Sequence, residues 1–329
     1  MKFTTLFLAL AVFVSGCAIG PRYRDPMMEL PQSYRSYTTQ EHGEAMIDLP
    51  WWKVFKDEKL QELIREGVLN NYDLRAAAAR VDEARAVVGV TRAQILPQTD
   101  LTGSASRDRN SQDIYPGLNR LTSTYSGGFN TAWEMDLWGK IRQAIRASQA
   151  EYLATEEARC GVMVTLVADM AQTYFSILEL DLELSIARKT LQTRSDNLDL
   201  FRKRFQGGAA SGLETARAEA DYDQTAANIP DIERQIATQE NRLSDLLGRN
   251  PGAIQRTSTL SQQSFVPGLP KTGLPSEILK KRPDIMEAEQ LLRAANAQVG
   301  VAVGEFMPRV NLTNFVGDTV DRFSDSKGY

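Results

Sequence analysis

Residues 73–102 read DLRAAAARVDEARAVVGVTRAQILPQTDLT, and residues 284–313 read DIMEAEQLLRAANAQVGVAVGEFMPRVNLT. Laid over one another without a gap, at an offset of 211 residues (284 minus 73), they agree at ten of thirty positions. Two unrelated alanine-rich helices would share pairs such as Ala77 with Ala288, Ala84 with Ala295 and Ala86 with Ala297. They would not also share Val88-Gly89-Val90 with Val299-Gly300-Val301, then Pro97 with Pro308, then Leu101-Thr102 with Leu312-Thr313. The chain therefore carries an internal duplication. Each copy reads as a helix stopped by proline, which lacks an N–H and clashes with the preceding turn, and then as the onset of a strand. Pro97 and Pro308 are the expected helix-to-strand breaks.

Downstream of Pro97 two segments have strand character, separated by a loop containing Asn110, Asp113, Pro116, Gly117 and Asn119. In the second, Tyr125, Gly127, Phe129, Thr131, Trp133 and Met135 alternate with Thr124, Ser126, Gly128, Asn130, Ala132, Glu134 and Asp136. The period of two gives one apolar and one polar face. Leu101, Gly103 and Ala105 oppose Thr102, Ser104 and Ser106 in the same sense. A soluble, half-buried hairpin shows the same alternation as a transmembrane strand pair, so the pattern alone leaves both open. Two strands per copy make four per complete chain, too few to close a cylinder with a lumen, which takes about eight. If these strands cross a membrane, several chains must share one barrel.

The next helix is very long. No proline occurs from Lys140 to Phe205, and Met163, Leu166, Val167, Met170, Tyr174, Ile177, Leu178 and Leu182 keep helical spacing on one face. Sixty-six residues at 1.5 Å each reach roughly 100 Å. Gly207-Gly208 breaks the helix, and Ser211-Gly212-Leu213-Glu214 starts a second one that runs to Leu247, with Pro230 inside it as a kink or local break. Upstream, Trp51, Trp52, Phe55, Leu60, Leu63, Ile64 and Val68 describe a short amphipathic helix ending at Asn70-Asn71, and Asp73 marks the cap region of the helix that follows. The helix before the strands and the shorter arm of the hairpin together nearly match the long arm, so stacked end to end they can pair with it. The expected class is mainly α with a small β part: long helical hairpins forming an α-helical tube joined to a short β-cylinder.

The first residues carry an address. Lys2, the apolar run Phe3 to Val14, and Val14-Ser15-Gly16 before Cys17 resemble a bacterial lipobox, in which Cys17 becomes the acylated first residue. The plainer reading is a secreted protein with an accidental cysteine. Ala18 after the cysteine favours the outer membrane. The resulting domain map is a signal peptide at 1–16, a lipidated strap at 17–50, a first repeat at 51–256, a linker at 257–273, and the start of a second repeat at 274–329. That second copy is expected to continue past Tyr329 with a return strand and another hairpin, so the chain is expected to be C-terminally incomplete.

Composition narrows the chemistry. With 329 residues, 42% hydrophobic, 24% charged and a formal charge of −4, and a mean hydropathy of −0.34, a polytopic helical membrane protein is excluded. The acidity disfavours nucleic acid as a partner. One histidine, His42, and two cysteines argue against a multi-ligand metal site. No metal, cofactor or catalytic residue is expected, and Cys160 reads as a small buried residue.

The lipobox, the junction Trp133-Glu134-Met135-Asp136-Leu137-Trp138-Gly139, the turn Gly208-x-Ala210-Ser211-x-Leu213-Glu214 and the two-copy layout together resemble the TolC family, and more narrowly its OprM-like lipoprotein branch. The resemblance covers residues 13 to 329. It implies a homotrimer with a twelve-stranded barrel in the outer membrane and a twelve-helix periplasmic tunnel, fed by an inner-membrane pump through a periplasmic adaptor. It also implies that Gly207, Gly208, Ala210, Ser211 and Leu213 form the tip that meets the adaptor, and that the constriction is held chiefly by the second hairpin, so no gating residue is named here. Trp133 and Trp138 either mark the membrane interface or plug the joint between barrel and helices, while Glu134 and Asp136 are expected to line a solvated pore. Two rival classes are an adaptor lipoprotein, which would not need the duplicated Val-Gly-Val…Pro unit, and a coiled-coil envelope lipoprotein, which would not need the alternating strand.

Overall fold

The computed structural model describes residues 19–27, 57–109, 121–263 and 279–321. Cys17, His42, Trp51, Trp52, Phe55 and most of the expected linker lie outside the described residues. The elements are α1 (Glu58–Asn70), α2 (Tyr72–Ala93), β1 (Gln98–Arg109), β2 (Leu121–Glu134), α3 (Lys140–Gln206), α4 (Gly212–Leu246), α5 (Pro283–Glu305) and β3 (Asn311–Val320). They divide between two compact units, one of Met1–Met27, Val81–Thr155 and Glu287–Tyr329, the other of Met28–Arg80 and Glu156–Met286.

The duplication is visible in the elements. Helices α2 and α5 begin at Tyr72 and Pro283, again 211 residues apart (283 minus 72). Both end in the same way. The Ile95 and Leu96 N–H groups donate three residues back, to the Arg92 and Ala93 carbonyls, and the equivalent Phe306 and Met307 donate to those of Val303 and Gly304. The last turn thus tightens toward a 3₁₀ helix before the proline, whose ring disfavours helical geometry in the residue preceding it. Helix α2 consequently stops at Ala93, four residues before Pro97 (97 minus 93).

In the first unit β1, β2 and β3 form an antiparallel sheet in that order. Leu101 pairs with Phe129, Phe129 with Val316, Tyr125 with Ala105 and Val320, and Trp133 with Leu312. Directly opposed residues share a face, so these side chains make one apolar surface three strands wide. Leu101, Phe129 and Val316 are 75%, 55% and 62% exposed, so this surface is no internal core. The other face is polar, with the hydroxyls of Ser104 and Ser126 2.8 Å apart. Its exception is Phe315, whose ring lies over Gly128 and Gly317; a Cβ on either glycine would come within 2.7 Å of it. The outer edges of β1 and β3 have no strand partner among the described residues.

The second unit has a dry core. Leu60, Leu63 and Ile64 of α1, Met170, Tyr174 and Ile177 of α3, and Leu243 and Leu247 at the end of α4 are buried together. The stretch of α3 that is long and apolar enough by composition to cross a membrane includes part of this buried face, which accounts for its hydrophobicity. Gly67 is where α1 touches α3: a Cβ there would fall 2.6 Å from Met170 Sδ. Asn71, read in the sequence only as a breaker, is the cap of α2. Its Oδ1 accepts the Leu74 N–H at 2.9 Å, while Asp73 sits inside the first turn. The Asn71 amide also donates to the Leu246 carbonyl at 3.1 Å, so the start of α2 and the end of α4 abut. Gly248, at φ +68°, ends α4 there, with no room for a side chain against the Asn70 carbonyl. Helix α4 continues through Pro230, which removes one ladder hydrogen bond without ending it.

Candidate functional site

Three clusters of polar and special-geometry residues stand out, and each can be built from local rules. The first is the turn between α3 and α4. Gly208 N–H donates to the Phe205 carbonyl and Ala209 N–H to that of Arg204, at 3.0 and 2.8 Å. With Gly208 at φ +74°, this is a Schellman ending, which needs a left-handed residue and so favours glycine. Two residues later Ser211 caps α4: its Oγ accepts the Glu214 N–H at 3.3 Å, and the Glu214 carboxylate accepts the Ser211 N–H at 2.7 Å. The Ser211 N–H and hydroxyl hold the Glu214 carboxyl below its usual range. The turn is therefore closed at both ends by its own hydrogen bonds. It presents Leu213 and Phe205, 62% and 51% exposed, beside small residues.

The arms behind this turn are polarised. Arg188, Arg194 and Arg202 of α3 pair with Glu233, Asp221 and Glu219 of α4 at 2.7, 3.3 and 2.8 Å. Exposed pairs of this kind contribute little stability each, but they discriminate register. Sliding α4 by one turn, so that each arginine meets the residue four positions earlier, would set Arg194 opposite Arg217 and Arg188 opposite Ile229.

The second cluster is the junction from β2 to α3. Strand β2 ends at Glu134, so the two-residue alternation no longer decides where Asp136 points. The Asp136 carboxylate accepts the N–H groups of Ile141 and Arg142 at 3.1 and 3.0 Å and the Arg142 guanidinium at 3.1 Å. Its side chain is only 11% exposed. This corrects the expectation of a pore-lining carboxylate: the start of α3 offers unpaired N–H groups, and Asp136 satisfies two of them. Glu134 is paired with Lys140 at 2.6 Å. Gly139, at φ +80°, turns the chain between them, with Leu137 exposed. The Trp133 indole N–H donates to the Ile95 carbonyl at 2.8 Å and that of Trp138 to the Pro308 carbonyl at 2.9 Å. Both indoles thus direct their polar edge into the joint. Pro97 and Pro308 lie outside helix and strand, immediately before or near the first residues of β1 and β3.

A third cluster was not visible in the sequence. Asp57, buried at the N-terminus of α1, accepts the Leu60 N–H at 3.0 Å through one oxygen. Its other oxygen accepts from the Tyr174 hydroxyl at 3.1 Å, Ser258 Oγ at 2.6 Å and Gln263 Nε2 at 2.6 Å. Burial pushes this carboxyl's pKa up, but the hydrogen bonds outweigh it and the net shift is downward. Burial, reinforced by the Asp57 charge, pushes Tyr174 up to about 12. Only the Asp-x-x-Leu spacing at 57–60 hints at the cap; the other partners lie 117 to 206 residues away.

Known proteins share this fold. Residues 63–249 match the family model described as outer membrane efflux protein. The chain is 34% identical over 327 residues to the toluene efflux pump outer membrane protein TtgC of Pseudomonas putida, covering 96% of this chain and 67% of the relative. It belongs to the outer membrane efflux protein family. A second family member, the cation efflux system protein CusC of Escherichia coli, is 32% identical over 328 residues, with 97% and 70% covered. The solved outer-membrane channel OprN superposes with a TM-score of 0.81 at 30% identity, over 94% of this chain and 69% of that one. The chain thus spans about two thirds of the length of these family members. Membership settles the rivalry of classes: this is an outer-membrane channel subunit of efflux systems whose helices extend into the periplasm, and the adaptor and envelope-lipoprotein readings fall away. The family is one of passive channels.

Proposed function

We propose that three copies of this chain close one barrel in the outer membrane and one helical tunnel below it, the exit duct for an inner-membrane pump and its periplasmic adaptor. The sheet carries this reading. Its strands of 12, 14 and 10 residues are long enough to cross a bilayer, one face is apolar and exposed, and two edges lack strand partners among the described residues. In lipid, edge N–H and C=O groups have no water to bond, so such strands must join others in a closed barrel.

The duct conducts and does not catalyse. TtgC is named for toluene efflux and CusC for cation efflux, yet this chain resembles both about equally. A wall that serves either cargo has little cargo-specific chemistry, so choice and energy rest with the pump. Within this reading Gly207, Gly208, Ala210, Ser211 and Leu213 are the docking tip. Small residues there admit a partner helix closely, and Leu213 offers apolar contact. Cys17 is the acylated anchor, and the junction from Trp133 to Gly139 joins the wall of the barrel to that of the tunnel.

Ala210→Arg and Leu213→Glu test the tip without touching the bonds that close it. Both are expected to abolish export of a fluorescent substrate and chemical crosslinking to the adaptor, while a heat-modifiable trimer band persists on gels. Undiminished export and crosslinking would rule out this turn as the docking site. Cys17→Ser is expected to remove metabolic lipid labelling, and retained label would refute the lipobox.

A further inference from the structure

We propose that Trp133 and Trp138 are a matched pair of positioning residues. Trp133 holds the helix-to-strand crossing of the first repeat, Trp138 holds that of the second, and the six residues from one to the other register both copies at the foot of the barrel. The two crossings are equivalent by the duplication: Ile95-Leu96-Pro97 corresponds to Phe306-Met307-Pro308. Each is a place where a helix has ended and a strand has not begun, so the carbonyls of the connecting residues have neither a helical nor a ladder partner. The Ile95 carbonyl takes the Trp133 indole N–H at 2.8 Å, and the Pro308 carbonyl takes that of Trp138 at 2.9 Å. An indole is a donor only, so each ring spends its single polar group on one crossing and has none left for a lipid headgroup.

The pair is itself held. Trp133 lies in the ladder opposite Leu312 of β3, and the next residue but one, Met135, donates its N–H to the Val310 carbonyl at 2.9 Å. The Trp138 carbonyl accepts the Ile19 N–H at 3.0 Å. Between the two indoles, Asp136 is fastened to the first turn of α3 and Glu134 to Lys140. A displacement of either crossing must therefore break its own indole bond, and it need not break the other.

That independence is what an experiment reads. Trypsin cuts after Arg92, three residues before Ile95, and after Arg309, the residue following Pro308; both arginines are exposed. In the full-length protein in detergent, Trp138→Phe is expected to raise the cleavage rate after Arg309 by about two- to tenfold, the loss of one hydrogen bond, with cleavage after Arg92 unchanged. Trp133→Phe is expected to reverse the pattern. Where phenylalanine prevents formation of the heat-modifiable trimer, the same tryptophan is replaced with benzothienylalanine, which keeps the shape and exchanges the N–H for sulfur. The same site-selective rise is expected. Ultraviolet resonance Raman of the indole N–H band should lose one hydrogen-bonded tryptophan in each variant. Equal rises at both sites, unchanged cleavage, or an unaltered band would overturn the proposal.

Discussion

The helical core around Tyr174 and the sheet around Phe129 use the same apolar side chains in opposite ways. Leu60, Met170, Tyr174 and Leu243 have no exposed surface, whereas Leu101, Phe129 and Val316 keep more than half of theirs. Burial removes apolar area from water in either case, but the helical unit does so with its own residues and the sheet leaves the task to lipid and neighbouring strands. Stability in the first region is a property of the chain; in the second it is a property of the surroundings.

The comparison can be broken most forcefully at Leu243. Leu243→Ala removes side-chain volume from the closed core and should cost about 2–5 kcal/mol, read as an earlier urea midpoint in the helical circular-dichroism signal, with barrel mobility on gels unaltered. Phe129→Arg should do the converse. A cation on the lipid face of a strand costs about 2–4 kcal/mol near mid-membrane, so assembly into vesicles should fall while the helical midpoint stays put. If either substitution moves both readouts equally, the two regions are not completed independently.

A smaller effect sharpens the picture of the helical side. Asp57 has a lower pKa folded than its ordinary 3.8, so its stabilising contribution is whole above that value and is lost as pH falls through the depressed one. Tyr174 has the opposite sign: its contribution is whole below 10.0 and is lost as pH rises through about 12. Thermal melting of the helical signal should therefore hold a plateau across neutral pH with an acid and an alkaline limb. Asp57→Asn should flatten the acid limb and Tyr174→Phe the alkaline one. Asp57→Ala, which leaves buried donors unpaired, should cost about 1–3 kcal/mol at neutral pH.

What is legible in the sequence follows from the range of the interactions involved. The helix stops before Pro97 and Pro308, the two faces of β2, the reach of α3 and the end of α4 near Leu247 are set by residues within a few positions of one another, so spacing alone exposes them. Asp136 escapes the alternation because it lies two residues beyond Glu134, where the strand has already ended and the demands of a helix start take over. Phe315 breaks the polar face for a reason located in another strand: Gly128 and its own neighbour Gly317 leave a floor on which the ring can lie. Asn71 reads as a breaker from local pattern, and its N–H does close α1 on the Gly67 carbonyl; what local pattern hides is the bond of its amide to the end of α4, 175 residues away in sequence. The Asp57 cluster and both indole bonds are hidden for the same reason, since each acceptor is chosen by tertiary placement and not by local pattern.

The turn at Gly208 and Ser211 has a kinetic corollary. Because its loop is shaped before any visitor arrives, capture of a neighbour there forfeits little chain freedom. In the docking role proposed for it, such a knob can be gripped and let go repeatedly without refolding.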